Sequence, residues 1–109
     1  MISTGLQAPG VVGYCPGNRA FWSAWQNSDN PTTGQGDFEP RPSSTCAYPI
    51  AIQARTVGSQ IPYTAAGNVV TISPQAGLIC RNALNAANTQ CADYEVRFCC
   101  RVGKYIKPK

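Results

Sequence analysis

The sequence has no histidine, a single methionine and no apolar stretch near the roughly 18 residues that a membrane-spanning helix requires. Without an imidazole, the commonest general acid–base group and a frequent zinc ligand are both missing. Only 13% of the 109 residues are charged, which excludes the highly charged class of disordered chains. The opening MISTGLQAPG lacks the basic start and apolar core of a secretory leader. Any leader is therefore expected to have been removed, because the cysteine content argues against the alternative, a cytosolic chain.

Turn formers are plentiful instead, with 9 prolines and 10 glycines among many Asn, Gln, Ser and Thr residues, a pattern of short strands joined by turns. The length is that of one domain. Residues 1–14 read as a loose, uncharged arm, residues 15–102 as the domain and residues 103–109 as a basic tail. Phe21–Trp25 form an aromatic cluster, and the segment from Gln26 to Ser44 reads almost throughout as a long loop. Residues 48–57 alternate Ile50, Ile52 and Ala54 with Gln53 and Arg55, the signature of a half-buried strand. Strands are also predicted over 68–72, 77–80 and 93–102, the last with Tyr94, Val96 and Phe98 on one face and Asp93, Glu95 and Arg97 on the other. One helical turn is predicted around 83–88. The fold class is all-β with minor helix, a small disulfide-stapled sheet or sandwich carrying a long ion-binding loop.

Six cysteines, Cys15, Cys46, Cys80, Cys91, Cys99 and Cys100, indicate a disulfide framework formed in an oxidising compartment. Zinc is disfavoured by the missing histidine and by the absence of C-x2-C spacing. Cys80 and Cys91 flank a polar loop and are natural partners. Cys99 and Cys100 are adjacent, so in a strand they point to opposite faces and take different partners, by elimination Cys15 and Cys46 in an order left open.

The net charge is +4, with scattered arginines and with Lys104, Lys107 and Lys109 in the tail. The basic residues are not interleaved with stacking aromatics, so nucleic acid is not the expected partner. The tail reads as solvated, or as an attachment point for an acidic glycan or a crosslink. Three of the five acids, Asp29, Asp37 and Glu39, fall close together beside Asn27 in the Gly-rich loop. Asn27-x-Asp29 and Asp37-x-Glu39 offer the oxygen ligands that a hard cation such as calcium requires, though not at EF-hand spacing. The alternatives are that Asp29 caps a turn and that Glu39 pairs with Arg41. Asp93, Glu95 and Arg97 read as a charge ladder along a strand.

The order of these elements resembles one family. Trp22-Ser-Ala-Trp25, Asn27-x-Asp29-x-Pro31, Gly36-Asp37-x-Glu39, Cys46-x-x-Pro49-x-x-Ile52, Gly77-Leu78-x-Cys80-x-Asn82 and Cys91-x-Asp93-Tyr94-Glu95-Val96-Arg97-x-Cys99-Cys100 follow the WxxW or CysD domain of gel-forming mucins and cartilage intermediate layer proteins. Two cysteines of that pattern are Ala54 and Ile72 here, so both members of one bridge are replaced by apolar residues. Gln26 stands where an aromatic often follows the second tryptophan.

The resemblance implies a secreted, extracellular, non-enzymatic module of mucus or matrix, with calcium held by Asn27, Asp29, Asp37 and Glu39. An affinity on the order of 10⁻⁴ to 10⁻³ M is expected of such extracellular sites. It also makes Trp22 a candidate for C-mannosylation, while packing on the sheet is the main role expected of both tryptophans. The implied function is a structural interaction module that associates with itself or with other matrix or mucus glycoproteins through aromatic surface near Phe21, Trp22, Tyr48 or Tyr63. A second class is a secreted calcium-dependent glycan-binding or defence protein. Neither reading involves a membrane.

Overall fold

Two eight-residue strands, β4 (Pro49–Thr56) and β7 (Tyr94–Arg101), pair antiparallel over most of their length and form the spine of the protein. The computed structural model describes residues 8–29, 36–40, 48–85 and 90–101. Strand β1 (Val11–Gly13) adds to the outer edge of β4 and β2 (Ala20–Trp22) to that of β7, giving a four-stranded antiparallel sheet of order β1-β4-β7-β2. A second antiparallel sheet has the order β3-β6-β5, from β3 (Gly36–Glu39), β5 (Thr71–Ser73) and β6 (Gly77–Arg81). The all-β reading therefore holds, with short 3-10 turns at Tyr63–Ala65 and Asn82–Leu84 as the helical content of the described residues.

The period-2 pattern explains the core. Alternate residues of a strand face opposite sides, so Tyr94, Val96, Phe98 and Cys100 of β7 and Ile52 and Ala54 of β4 point one way. They meet Leu78 and Cys80 of β6 in one buried cluster that the two sheets share. Burying a side chain such as Phe98 or Ile52 stabilises the fold by roughly 1.5–3 kcal/mol. Ile50 departs from the predicted face. The register slips between Pro49 and Ala51, a β-bulge, and Ile50 packs with the smaller cluster of Ala20, Ala51 and Cys99 on the opposite side of the sheet.

Two bridges lie among the described residues, on opposite faces of the four-stranded sheet. Cys80–Cys91 lies in the core, as the spacing predicted, and Cys15–Cys99 resolves one of the two open pairings. Cys100 is also disulfide-bonded, and no described cysteine is free. Cys46 lies outside the described residues. The Cys15–Cys99 bridge closes 84 residues of chain, a constraint on the unfolded state of roughly 4–5 kcal/mol in the loop-entropy account.

Five segments differ from the sequence expectations. The N-terminal arm predicted over 1–14 contains β1, because β-branched Val11 and Val12 extend against Gln53 and Ile52. Residues 1–7, and the basic tail at 103–109, lie outside the described residues. The aromatic cluster begins with β2, paired to β7 from Ala20↔Arg101 to Trp22↔Cys99. The loop predicted after it contains β3, whose sequence GDFE carries no apolar alternation to reveal a strand. The strand predicted over 68–72 starts at Thr71, and the helical turn predicted at 83–88 occurs one residue earlier, at Asn82–Leu84.

Gly77 fixes how closely β6 and β3 approach within the three-stranded sheet. It turns the β5–β6 hairpin at φ 84°, and a Cβ there would lie 2.0 Å from the Glu39 carbonyl oxygen. Gly58 has a similar φ of 82° with open space around it. Replacing Gly58 by alanine is expected to cost about 1 kcal/mol from backbone strain alone. Gly77→Ala must also displace β3, so a loss of about 3 kcal/mol or more is expected. Urea unfolding of the two variants checks the difference.

Candidate functional site

Strand β3 is an edge strand whose acids face inward. Asp37 and Glu39 are two residues apart, so they share a face, and both side chains are fully buried. Cross-strand pairing to Cys80 and Leu78 of β6 holds them in register. The Tyr94 amide at the start of β7 donates to Asp37 Oδ2, tying β3 of one sheet to β7 of the other. Asp93, just before β7, completes a cluster in which Asp37, Glu39 and Asp93 oxygens all lie within 4.8 Å of one another.

A turn of the chain after the tryptophans closes over this cluster. The Ser28 and Asp29 amides donate to the two Glu39 carboxylate oxygens at 2.6 and 3.1 Å. Asp29 reaches back so that its Oδ2 accepts the Phe38 amide at 3.0 Å, satisfying a donor on the free edge of β3. Asn27 Nδ2 donates to Asp93 Oδ2 at 3.3 Å. Of the four residues predicted as ligands, Asp37 and Glu39 therefore converge directly. Asn27 and Asp29 sit beside them, engaged in hydrogen bonds that position the loop and the edge strand.

Asp93 was missed because it reads as the first member of the ladder with Glu95 and Arg97. The structure separates it from them. Arg55 Nε donates to Glu95 at 2.5 Å across the β4–β7 pair, and Arg97 Nε donates to Gln53 at 2.8 Å, while Asp93 turns into the acid cluster. Its position before the strand begins, where alternation no longer dictates direction, is the one signal that could have suggested this.

The electrostatics are unfavourable for bare carboxylates. Burial, and next the Asp37 side chain beside it, push the Glu39 carboxyl up to about 9. Asp37 is raised as well, chiefly by burial, with its hydrogen bonds to Glu39 and to the Tyr94 amide pulling the other way. The Tyr94 hydroxyl is pushed up to about 12 by burial and then by the Asp37 charge, and it donates to Asn68 Oδ1 at 2.8 Å. Asp37 Oδ1 and Asp93 Oδ1 are buried with no hydrogen-bond partner among the described residues. Orphaned buried carboxylate oxygens are costly unless something positive meets them. Carboxyl oxygens converging from β3 and from the residue just before β7 fit an oxygen-seeking cation better than a thiophilic metal.

Trp22 and Trp25 lie on the opposite side of the four-stranded sheet. Past β2 the chain continues along β7, with Ser23 bonded to Phe98 and Gln26 bridged to Val96. The two indoles clasp the Arg97 guanidinium, whose carbon lies 4.7 Å from the Trp22 ring centroid and 4.9 Å from that of Trp25. Arg55 stacks on Trp25 at 3.7 Å. The W-x-x-W spacing thus grips an arginine of the neighbouring strand, and both rings are half-buried. Phe21 and Tyr48 are exposed, whereas Tyr63 packs against the core and does not offer the free surface expected of it.

The family described as the Mucin-2 protein WxxW repeating region matches residues 22–100. Human cartilage intermediate layer protein 2 is 36% identical over 87 residues, 72% of this chain and 7% of that protein. Rat Mucin-2 is 33% identical over 84 residues, 73% of this chain and 6% of that protein, and human Mucin-5AC is 30% identical over 93 residues, 77% and 2%. The chain spans less than a tenth of each of these relatives. The matched region runs from the first tryptophan of the clasp to the last cysteine of β7 and includes every acid of the cluster, and the chain belongs to the WxxW (CysD) family of gel-forming mucins and cartilage intermediate layer proteins.

Proposed function

We propose that this chain is a secreted, extracellular, non-enzymatic module of mucus or matrix type, stabilised by calcium at the Asp37–Glu39–Asp93 cluster and making contacts with itself or with matrix glycoproteins. The observation that carries the calcium reading is the pair of orphaned oxygens, Asp37 Oδ1 and Asp93 Oδ1, buried within a three-acid cluster. Asp37, Glu39 and Asp93 would hold the ion, with Asn27 and Asp29 fixing the chain over it. A bound cation supplies the positive charge that lets the three carboxylates ionise together. The role is structural: it ties β3, the start of β7 and the segment after the tryptophans into one unit. Kinship with mucins and cartilage intermediate layer proteins supports the extracellular setting, as does the disulfide framework. Exposed Tyr14, Phe21 and Tyr48 supply apolar surface for the contacts.

Two outcomes are expected. Asp93→Asn, a change far in sequence from the predicted loop, should weaken calcium binding by isothermal titration calorimetry at least tenfold, because it removes one carboxylate charge from the ion's ligands. Binding unchanged in this variant would place the ion elsewhere. The pH dependence has a definite sign. With calcium chelated, Glu39 keeps its proton in the folded protein up to about 9, against an ordinary value of 4.5 in the unfolded chain. The folded state then binds more protons between those values, so its stability is greatest below the lower one and falls as pH rises through the window. Calcium takes the ionised acids, so the rise in melting temperature that it produces should grow from pH 5 to pH 8. Thermal melts across that range, with EDTA and with calcium, measure both trends.

A further inference from the structure

The outward face of the four-stranded sheet carries a second, differently charged feature. Alternation along β7 places Glu95, Arg97, Cys99 and Arg101 on this face, opposite the core. Register adds Arg55 across from Glu95 and Trp22 across from Cys99. Three arginines therefore share the face with one carboxylate, and Arg55 alone is paired to it. The other described acids, Asp29, Asp37, Glu39 and Asp93, gather at the opposite feature, the acid site.

Arg97 is held without being neutralised. Gln53 takes its Nε–H and the two indoles fix its plane, yet its terminal nitrogens have no acceptor among the described residues. Burial, and next the Arg55 charge nearby, lower its pKa below the ordinary arginine value. Two adjacent guanidiniums with one carboxylate between them leave a local excess of positive charge, and the exposed Arg101 extends it along the strand. A guanidinium held flat presents a fork of donors suited to an oxyanion.

We propose that this tryptophan-clasped arginine face, Arg97 and Arg101 above all, is a docking surface for sulfated glycan chains. The surface goes beyond the calcium reading and is independent of it. A guanidinium is weakly hydrated for a cation, so it loses little on desolvation, and its planar fork matches two oxygens of a sulfate ester. Single-stranded nucleic acid is the poorer fit, because it requires free aromatic platforms for its bases. Here both rings are half-buried and already occupied by Arg55 and Arg97.

The probe is a heparin oligosaccharide, titrated against the full chain by biolayer interferometry at physiological salt, in EDTA and in calcium. Equal binding in both is expected, which separates this surface from a failure of the calcium site. Arg101→Gln, an exposed change that leaves the fold intact, and Arg97→Gln should each weaken binding severalfold, and together at least tenfold. Arg97→Lys, which keeps the charge and loses the fork, should fall between, with melting temperature confirming the fold of each variant. Arg81→Gln, on the other sheet, should bind as the parent does. Replacing Lys104, Lys107 and Lys109 together by glutamine should retain most of the affinity. Loss of binding in the lysine variant with none in the arginine variants would overturn the proposal, as would tighter binding to single-stranded DNA of equal length, or no binding to heparin.

Discussion

Two fully buried carboxylates, Asp37 and Glu39, are the constraint around which this small protein is arranged. A domain of this size has little apolar surface to spend, and removing a charged group from water is among the most costly steps in folding. Each acid is therefore met by backbone amides from a different part of the chain: Tyr94 for Asp37, Ser28 and Asp29 for Glu39. Those bonds bring an edge strand of one sheet, the beginning of the central strand of the other and the segment after the tryptophans to one point. The positioning is further enforced by Gly77, which lets β6 approach the Glu39 carbonyl. Amides alone leave Asp37 Oδ1 and Asp93 Oδ1 without partners among the described residues, which is what makes the cluster a candidate cation site.

The rest of the fold divides its stabilisation between two faces of β7. On the inner face, Tyr94, Val96, Phe98 and Cys100 form the shared core of the two sheets, and Cys80–Cys91 joins it. On the outer face, the Cys15–Cys99 bridge and the stack Trp22–Arg97–Trp25–Arg55–Glu95 cover the sheet. The adjacent cysteines Cys99 and Cys100 serve one face each. Half-buried arginine–indole stacking contributes about 0.5–2 kcal/mol per contact, enough to order the W-x-x-W segment against the sheet. The acid cluster and the tryptophan clasp are also consecutive in sequence, so the clasp sets the path of the chain that caps Glu39.

Much of the core was legible from period-2 alternation, as in Tyr94, Val96 and Phe98, because a strand with one apolar face declares itself. The family was legible from the order of tryptophans, acids and cysteines, and matches residues 22–100. Three kinds of information were not legible. Strand β3 is mostly polar on its buried side, so hydrophobic patterning described it as loop, although Asp37 and Glu39 at alternate positions were already visible. The bulge at Ile50 and the short edge strands depend on tertiary pairing that local sequence does not encode. Asp93 belongs to the acid cluster through a contact spanning more than fifty residues, and its proximity to Glu95 and Arg97 favoured the local ladder. A long-range juxtaposition of like charges is what local patterning is least able to anticipate.

The central claim is that the buried acids are arranged for a cation. The most direct test is differential scanning calorimetry of the oxidised protein at neutral pH, first in excess EDTA and then in millimolar calcium. A calcium-dependent rise of several degrees in melting temperature is expected, because an ion that binds only the folded state stabilises it by mass action. An identical melting temperature in the two conditions would mean that amides and a retained proton satisfy Asp37, Glu39 and Asp93 by themselves, and would contradict the account.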